Sequence, residues 1–334
     1  MSFQQNGIMA VGHVLVDTIG DATEMFVERF GDMVSPAHVT HEKMRHFYLA
    51  MAREPGLLRA PLAWTAGGGV SIVAKAALAL GMPAEVWGAV GRDEEGAFLA
   101  RDLAEAGVKT KFLLSEVPTG SFCGIATPGG GKKIIVSPGA AKTIRNIPIP
   151  AEAFHDGWVF YLDGLLIDSP AWLAEQAEKA KSKGMSIAMD VSTSANAKSH
   201  AAALLDFANA YCDVVFANAA EFQAMGGTGV VGARLKPKWV VKEGENGATI
   251  YAQGLRKHAE ALKTESVDDT GAGDVFSAGF LLAGFEGFEG GACLRMGNAV
   301  AAAALRFRGS GFDPRALKRA YEDERHSLKL DIVL

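Results

Sequence analysis

The chain has 334 residues, 49% hydrophobic and 21% charged, an ordinary globular balance with enough apolar residues for a large core. That balance excludes a disordered chain, and a formal charge of −5 without a basic block excludes a dedicated nucleic-acid binder. Thirty-nine glycines, well above the usual share of about 7% and without a Gly-X-Y period, point to tight turns or close ligand approaches. Cys123, Cys212 and Cys293 are far apart, odd in number and without CxxC spacing, so neither a disulfide framework nor a zinc site is expected. Residues 1–6 are short and polar with no apolar h-region, and the longest apolar stretches, such as 275–285, are too short to span a bilayer. A cytoplasmic protein with free thiols and no membrane partner is the expectation.

In chain order, residues 8–16 read as a strand. A long mixed-charge stretch, 33–61, follows and is helical over 40–53. Residues 70–80 have helical spacing and stop at Gly81, the glycine expected just past a helix end. A strand over 85–90 and a helix over 94–106, closed by Gly107, come next. Residues 120–136 read as two strands about Pro128-Gly129-Gly130-Gly131, a hairpin signal. A strand at 159–162, a helix at 170–183 closed by Gly184, and strands at 186–189, 214–217 and 239–241 continue the alternation. Helices over 272–283 and 294–306 end it. Repeated β-then-α order predicts a doubly wound, mostly parallel sheet flanked by helices, in one α/β domain spanning 1–334. Two excursions, approximately 14–65 and 108–139, predict a small β-lid.

The strongest local signal is Asp268-Asp269-Thr270-Gly271-Ala272-Gly273-Asp274, running into an apolar helix. The N–H groups of Ala272, Gly273 and Asp274 at a helix start can face one anion, and the missing side chains let a phosphate approach. A carboxylate beside an anion hole repels phosphate. Asp274 makes sense there as a base that takes a proton from an attacking hydroxyl. The plainer reading is a capping Asp after a glycine turn.

The string DDTGAGDVFSAGF resembles the C-terminal signature of the PfkB, or ribokinase-like, kinases of sugars and nucleosides. Other segments match the family in its order: Gly67-Gly68-Gly69 opening a helix, the run from Gly88 to Gly96, Ile134 to Ala140, and Asp213 to Glu221. The resemblance spans nearly the whole chain, and its C-terminal string is the specific part. It implies a ribokinase-like fold, ATP, Mg²⁺ and phosphorylation of an alcohol. It implies Asp274 as general base and Gly271, Ala272 and Gly273 as the anion hole for the moving phosphoryl group. Asn218 and Glu221, three apart, match the motif that holds Mg²⁺ mostly through water, and they also read as a helix cap with its capping box. Lys242, Gly244 and Gly247 match the nucleotide loop, with Lys242 where Thr is usual. Its charge reaches either ATP phosphates or solvent. Asn298 falls where the family contacts the adenine region, or faces solvent. Asp17, Gly67 and Gly68 match substrate contacts. Trp64 and Phe122 are aromatics near the expected substrate site, there to stack or to pack in the core. The loops around Asp268 and Ser310 resemble those holding a monovalent cation, K⁺, in some relatives, and lids of this kind form homodimer contacts in others.

Three departures stand out. Ile72 and Ala141 occupy positions where the family commonly has Asn, and Lys132 or Lys133 stands for a lid arginine. Losing two amides removes hydrogen bonds that fix sugar hydroxyls and argues against carrying over ribose or fructose specificity. The expected function is an ATP-dependent kinase of a hydroxyl on a sugar or sugar-like molecule. A nucleoside kinase is the alternative, because the insertion between Asp17 and Gly67 resembles that of adenosine-kinase-like relatives. A non-catalytic sugar- or nucleotide-binding sensor is a second, which the intact Asp274 opposes. A Rossmann oxidoreductase fails for want of GxGxxG after the first strand.

Overall fold

In the computed structural model, which describes residues 6–33, 35–54, 56–60, 62–229 and 236–333, the apolar runs become strands of two sheets. Only Asn6 of the polar start at 1–6 lies among the described residues. The strands are β1 (Ile8–Val11), β2 (Leu15–Asp21), β3 (Ala37–His38), β4 (Ala63–Gly67), β5 (Ala84–Gly91), β6 (Lys109–Ser115), β7 (Gly120–Thr127), β8 (Gly131–Ser137), β9 (Val159–Asp163), β10 (Ser186–Asp190), β11 (Val214–Asn218), β12 (Lys238–Lys242), β13 (Ala248–Ala252) and β14 (Leu255–Ala259). The large sheet has the order β14-β13-β12-β11-β10-β9-β1-β5-β6 and is parallel from β12 to β6, with β13 and β14 added antiparallel.

Strands β1, β5 and β9 are buried along their whole length, which is why they read as unbroken apolar runs. Side-chain alternation splits the core in two. Ile8 and Ala10 join the helices Gly69–Ala79, Ala272–Phe285 and Gly290–Ala304 on one face. Met9 and Val11 join Pro170–Ser182, Ser194–Tyr211 and Ala219–Ala224 on the other. The chain runs outward from β1 to β5 and β6, then returns to β9 on the opposite side. That reversal makes β1 the switch point, and in such sheets the crevice beyond the carboxyl ends of the strands takes the ligand.

The fold is the expected doubly wound α/β layer with a small β-lid, and the differences are local. The single strand expected over 8–16 is two: β1 stays in the large sheet, and β2 leaves for the small one. Gly12 and His13 interrupt the apolar run only briefly before Val14, Leu15 and Val16 resume it, so the change of sheet was read as one strand. The excursion expected over 108–139 first supplies β6 to the large sheet and enters the small sheet only at Gly120. Helices Glu24–Phe30, Ser194–Tyr211 and Pro314–Val333 were not legible as such. No helix among the described residues is long and apolar enough to cross a membrane.

The small sheet has the order β3-β8-β7-β2-β4. Its outer face is covered by Glu24–Phe30 and His41–Arg53, the latter capped by Thr40 accepting from Lys43 N–H. Phe26, Met44, Met51 and Leu57 pack there on Cys123, Ile125 and Ile135. The outer face of the small sheet is thus filled by the chain's own helices. Truncating Phe26, which is fully buried, costs about 3–5 kcal/mol of packing. In Phe26→Ala, amide exchange is expected to quicken across residues 24–53, β7 and β8 and to stay unchanged in β1 and β9.

Candidate active site

Four neighbouring strands of the large sheet end on a polar residue at the same edge: Asp163 on β9, Asp190 on β10, Asn218 on β11 and Lys242 on β12. His13 follows β1 at the same edge. Its Nδ1 lies 2.7 Å from Asp163 Oδ2, and its backbone N–H donates to the same oxygen at 3.0 Å. Ser192 Oγ–H donates to Asp163 Oδ1 at 2.6 Å, and Leu165 N–H donates to it at 2.9 Å. Burial opposes charge on Asp163, but His13 beside it and these hydrogen bonds outweigh burial and hold its carboxyl below the usual range. The first turn of the helix Ala272–Phe285 closes the crevice from above. Between them lies a cavity of about 170 Å³, lined by His13, Tyr161, Asp163, Asp190, Ser192 and Asp274, among others.

Gly271 caps that helix in the left-handed conformation, φ 79°, which suits glycine there. The N–H groups of Ala272 and Asp274, expected to be open, donate to the carbonyls of Asp269 and Gly271 at 3.2 and 3.0 Å. Among the described residues, the N–H groups of Gly271 and Gly273 have no such partner. The N–H groups of the turn without a backbone partner thus reduce to these two, because the αL cap folds the turn back on itself. Asp274 is half-buried, and desolvation of its carboxyl, then the like charge of Asp190, push it up to about 7 against the pull of Lys242. Lys242 Nζ donates to Asp190 Oδ2 at 2.7 Å and to the Gly273 carbonyl at 3.4 Å.

Gly67 and Gly69 are fixed by close approach. A Cβ on Gly67 would fall within 2.1 Å of the Asp17 carboxylate oxygens, and one on Gly69 would stand 2.9 Å from Asp274 Oδ1. Gly68 crosses between them at φ 78°. The loop thus brings Asp17, from the lid strand β2, and Asp274 to the same glycine run. Asp17 does not end the first strand as expected. It lies inside β2, is 4% exposed, and burial pushes it up to about 7 despite bonds from Ser310 and Gly68 N–H and the charge of Lys75. Ile72 packs against Gly271 and Ala141 lies in the core, so both positions that lack an amide serve packing. Lys132 Nζ donates to Asp268 Oδ1 at 3.0 Å and to Thr270 Oγ1, so this lid lysine is the one that reaches the glycine turn. Lys133 donates instead to the carbonyls of Gly31 and Met33.

Asn218 and Glu221 form a reciprocal capping box on Ala219–Ala224. Asn218 N–H donates to Glu221 Oε2 at 2.8 Å and its amide to Oε1 at 2.7 Å. Gly244 opens a short helical turn, and Gly247, at φ 88°, abuts the Ala259 carbonyl. Asn298 does not face solvent. It is 7% exposed and its amide donates to the carbonyls of Ala259 and Glu260 at 3.0 and 2.9 Å, holding the chain after β14. Trp64 pairs with Thr18 on the outer side of β2, away from Asp17, and packs edge-on to Phe98. Phe122 is in register with Asp17 and shares its face. The residues the sequence reading missed are His13, Asp163, Asp190 and Ser192. Their available signal was a polar residue closing an apolar strand, already seen after 186–189 and 214–217.

A model of the pfkB family carbohydrate kinases matches residues 40–316. The chain belongs to the PfkB family. It is 28% identical over 251 residues to a nucleoside kinase of Methanothermobacter thermautotrophicus, covering 73% of this chain and 79% of that one. It is 26% identical over 220 residues to an ATP-dependent ribose-1-phosphate kinase of Halopiger xanaduensis, covering 64% and 72%. The crystal structure of adenosine kinase from Sinorhizobium meliloti superposes with a TM-score of 0.80 at 24% identity, over 97% of this chain and 99% of that one. A probable sugar kinase from Rhizobium etli gives 0.81 at 23%, over 97% and 98%. At these identities the two structures establish the ribokinase-like fold. As a PfkB kinase, the chain is a phosphotransferase, and the family implies ATP as its donor.

The raised carboxyl of Asp17 has a consequence for stability. Folded Asp17 keeps its proton to about pH 7, whereas an unperturbed Asp loses it near 3.8. Between these values the folded chain binds more protons, so stability falls as pH rises. Asp163 and Asp268, held low, act the other way but only below about 3.8. Urea denaturation is expected to show a more stable protein at pH 5.5 than at pH 8, with a flatter dependence in Asp17→Asn. A wild-type stability that climbs over this interval would contradict the assignment.

Proposed function

We propose that this PfkB kinase transfers the γ-phosphoryl group of ATP to a hydroxyl of a neutral sugar or sugar-like molecule, with Asp274 as general base. The observation that carries the reading is the placement of Asp274: a poorly solvated carboxyl on the cavity wall, at the mouth of the Gly271–Gly273 turn, pushed up to about 7. A base matched to neutral pH takes the acceptor's proton as its oxygen bonds to the γ-phosphorus. The bond from that phosphorus to the β,γ-bridging oxygen breaks, ADP leaves, and the proton stays on Asp274. The N–H groups of Gly271 and Gly273 face the charge that develops on the moving group. Gly244, Gly247 and Asn298 support the nucleotide side as backbone and loop supports. The Lys132 bridge to Asp268 and Thr270 draws the lid onto the turn and excludes water.

The donors near the site fit a hydrated Mg²⁺ rather than a caged one. Both Glu221 carboxylate oxygens accept from Asn218, and no group of three or more His, Cys, Asp or Glu set for a metal occurs among the described residues. Asn218 and Glu221 would hold such an ion through its waters, and it would offset phosphate charge there.

The acceptor is neutral in this reading because the cavity wall is carboxylate-rich. Asp163, Asp190 and Asp274 accept hydrogen bonds from hydroxyls and repel a sugar phosphate, and the Lys242 ammonium is taken by Asp190. A nucleoside is the second reading, favoured by Phe122 on the Asp17 face of the lid, where a ring stacks on a base. ADP release with MgATP and K⁺ is to be measured against pentoses, hexoses, polyols, nucleosides and ribose 1-phosphate. One neutral acceptor is expected to turn over, with Asp274→Asn slower by a factor of about 10²–10⁴. Turnover of ribose 1-phosphate alone, or undiminished activity in Asp274→Asn, would overturn the reading.

A further inference from the structure

Lys242 and Asp190 sit two strands apart. Lys242 is the last residue of β12 and is in register with Asn218 of β11, while Asp190, the last of β10, is in register with Phe216. Their side chains meet across β11 at 2.7 Å, with the ammonium 5.9 Å from the centre of the Phe216 ring. Both side chains are nearly out of solvent, 14% and 11% exposed. The same ammonium lies 3.3 Å from where a Cβ on Gly273 would stand, so it presses on the residue before Asp274. Asp190 is held from its other side by Ser192 N–H at 2.9 Å. The pair is therefore fixed at both ends and touches the first turn of the base's helix.

The groups that face Asp274 come from every element packed about it: Asp190 of β10, Lys242 of β12, Asp17 of β2, Glu221 of Ala219–Ala224 and Tyr161 of β9. Asp163, with His13 tied to it, lines the same cavity. Three of the groups acting on Asp274 are carboxylates, and Lys242 is the fixed cation among them. Without it, several acidic groups would share one poorly solvated crevice.

We propose that Lys242 is a positioning residue for Asp274: clamped by Asp190 over the end of β11, its ammonium holds the base ionised and in place at the Gly271–Gly273 turn. This deepens the kinase reading and rests on it, and it gives Lys242 a role toward the base rather than toward the nucleotide.

The test uses the full chain labelled with ¹³C at the aspartate carboxyl carbons and needs no acceptor. Asp274→Asn identifies the Asp274 resonance, which is followed from pH 4 to 9. In Lys242→Met the Asp274 midpoint is expected to rise by about 1 pH unit or more, the scale of a lost neighbouring opposite charge. Lys242→Arg is expected to leave it near the wild-type value. An Asp274 midpoint unmoved in Lys242→Met would overturn the proposal. Should Lys242→Met fail to fold, Lys242→Gln decides in the same way: a raised midpoint is expected, and no change would overturn the proposal. Failure of the kinase reading shows separately, as no ADP formed from any acceptor, while the titration is read on the free protein.

Discussion

Acidic side chains crowded at the carboxyl edge of a parallel sheet are the constraint from which the site follows. Each would be stable in water and is costly in a dry crevice. Asp163 is kept charged by His13 and three hydrogen bonds. Asp190 accepts from Lys242 Nζ and from Ser192 N–H. Asp17 and Asp274 lack such full compensation, and burial drives both upward. Two environments thus hold some carboxyls low and push others up, the kind of separation that acid–base chemistry at neutral pH requires. Breaking a buried ion pair of the Lys242–Asp190 kind by removing one partner costs about 3–5 kcal/mol, so the arrangement is structural as well as chemical.

The sheet order makes this crowding unavoidable. Because the chain reverses direction about β1, the ends of β9 through β12 and the loop after β1 open into one crevice. The same loop carries the chain into β2, so the strand that bears Asp17 grows directly out of the switch point. Gly67 and Gly69 then let the Asp17 and Asp274 carboxyls approach one backbone segment from the lid and from the helix. The lid and the catalytic turn are further tied by Lys132 to Asp268 and by Thr65 Oγ1 to Ser310 Oγ at 2.8 Å. Movement of the lid therefore moves the Asp17 carboxyl relative to that of Asp274.

Much of this was legible in the sequence. The glycine closures at Gly81, Gly107 and Gly184 marked helix ends, and the hairpin about residues 128–131 marked the lid, because positive φ and tight turns select their residues locally. The turn before Asp274 was legible for the same reason. What escaped was set by tertiary contact. The change of sheet between Val11 and Leu15 is marked only by Gly12-His13, too short an interruption to announce a second sheet. The roles of His13, Asp163 and Asp190 depend on strands brought together from 150 and 52 residues away. Ile72, read as a missing amide, is a packing residue against Gly271, which only the fold reveals. Asn298, read as a contact or a solvated side chain, is a buried clasp on two carbonyls.

Proton transfer to the Asp274 carboxyl is the central claim, and the pH dependence of kcat/KM tests it most directly, since it reports the free protein's essential groups. With the acceptor that gives turnover, kcat/KM is predicted to fall below about pH 7 with unit slope, where Asp274 takes up its proton. A profile flat from pH 5 to 9 would contradict proton transfer to that carboxyl.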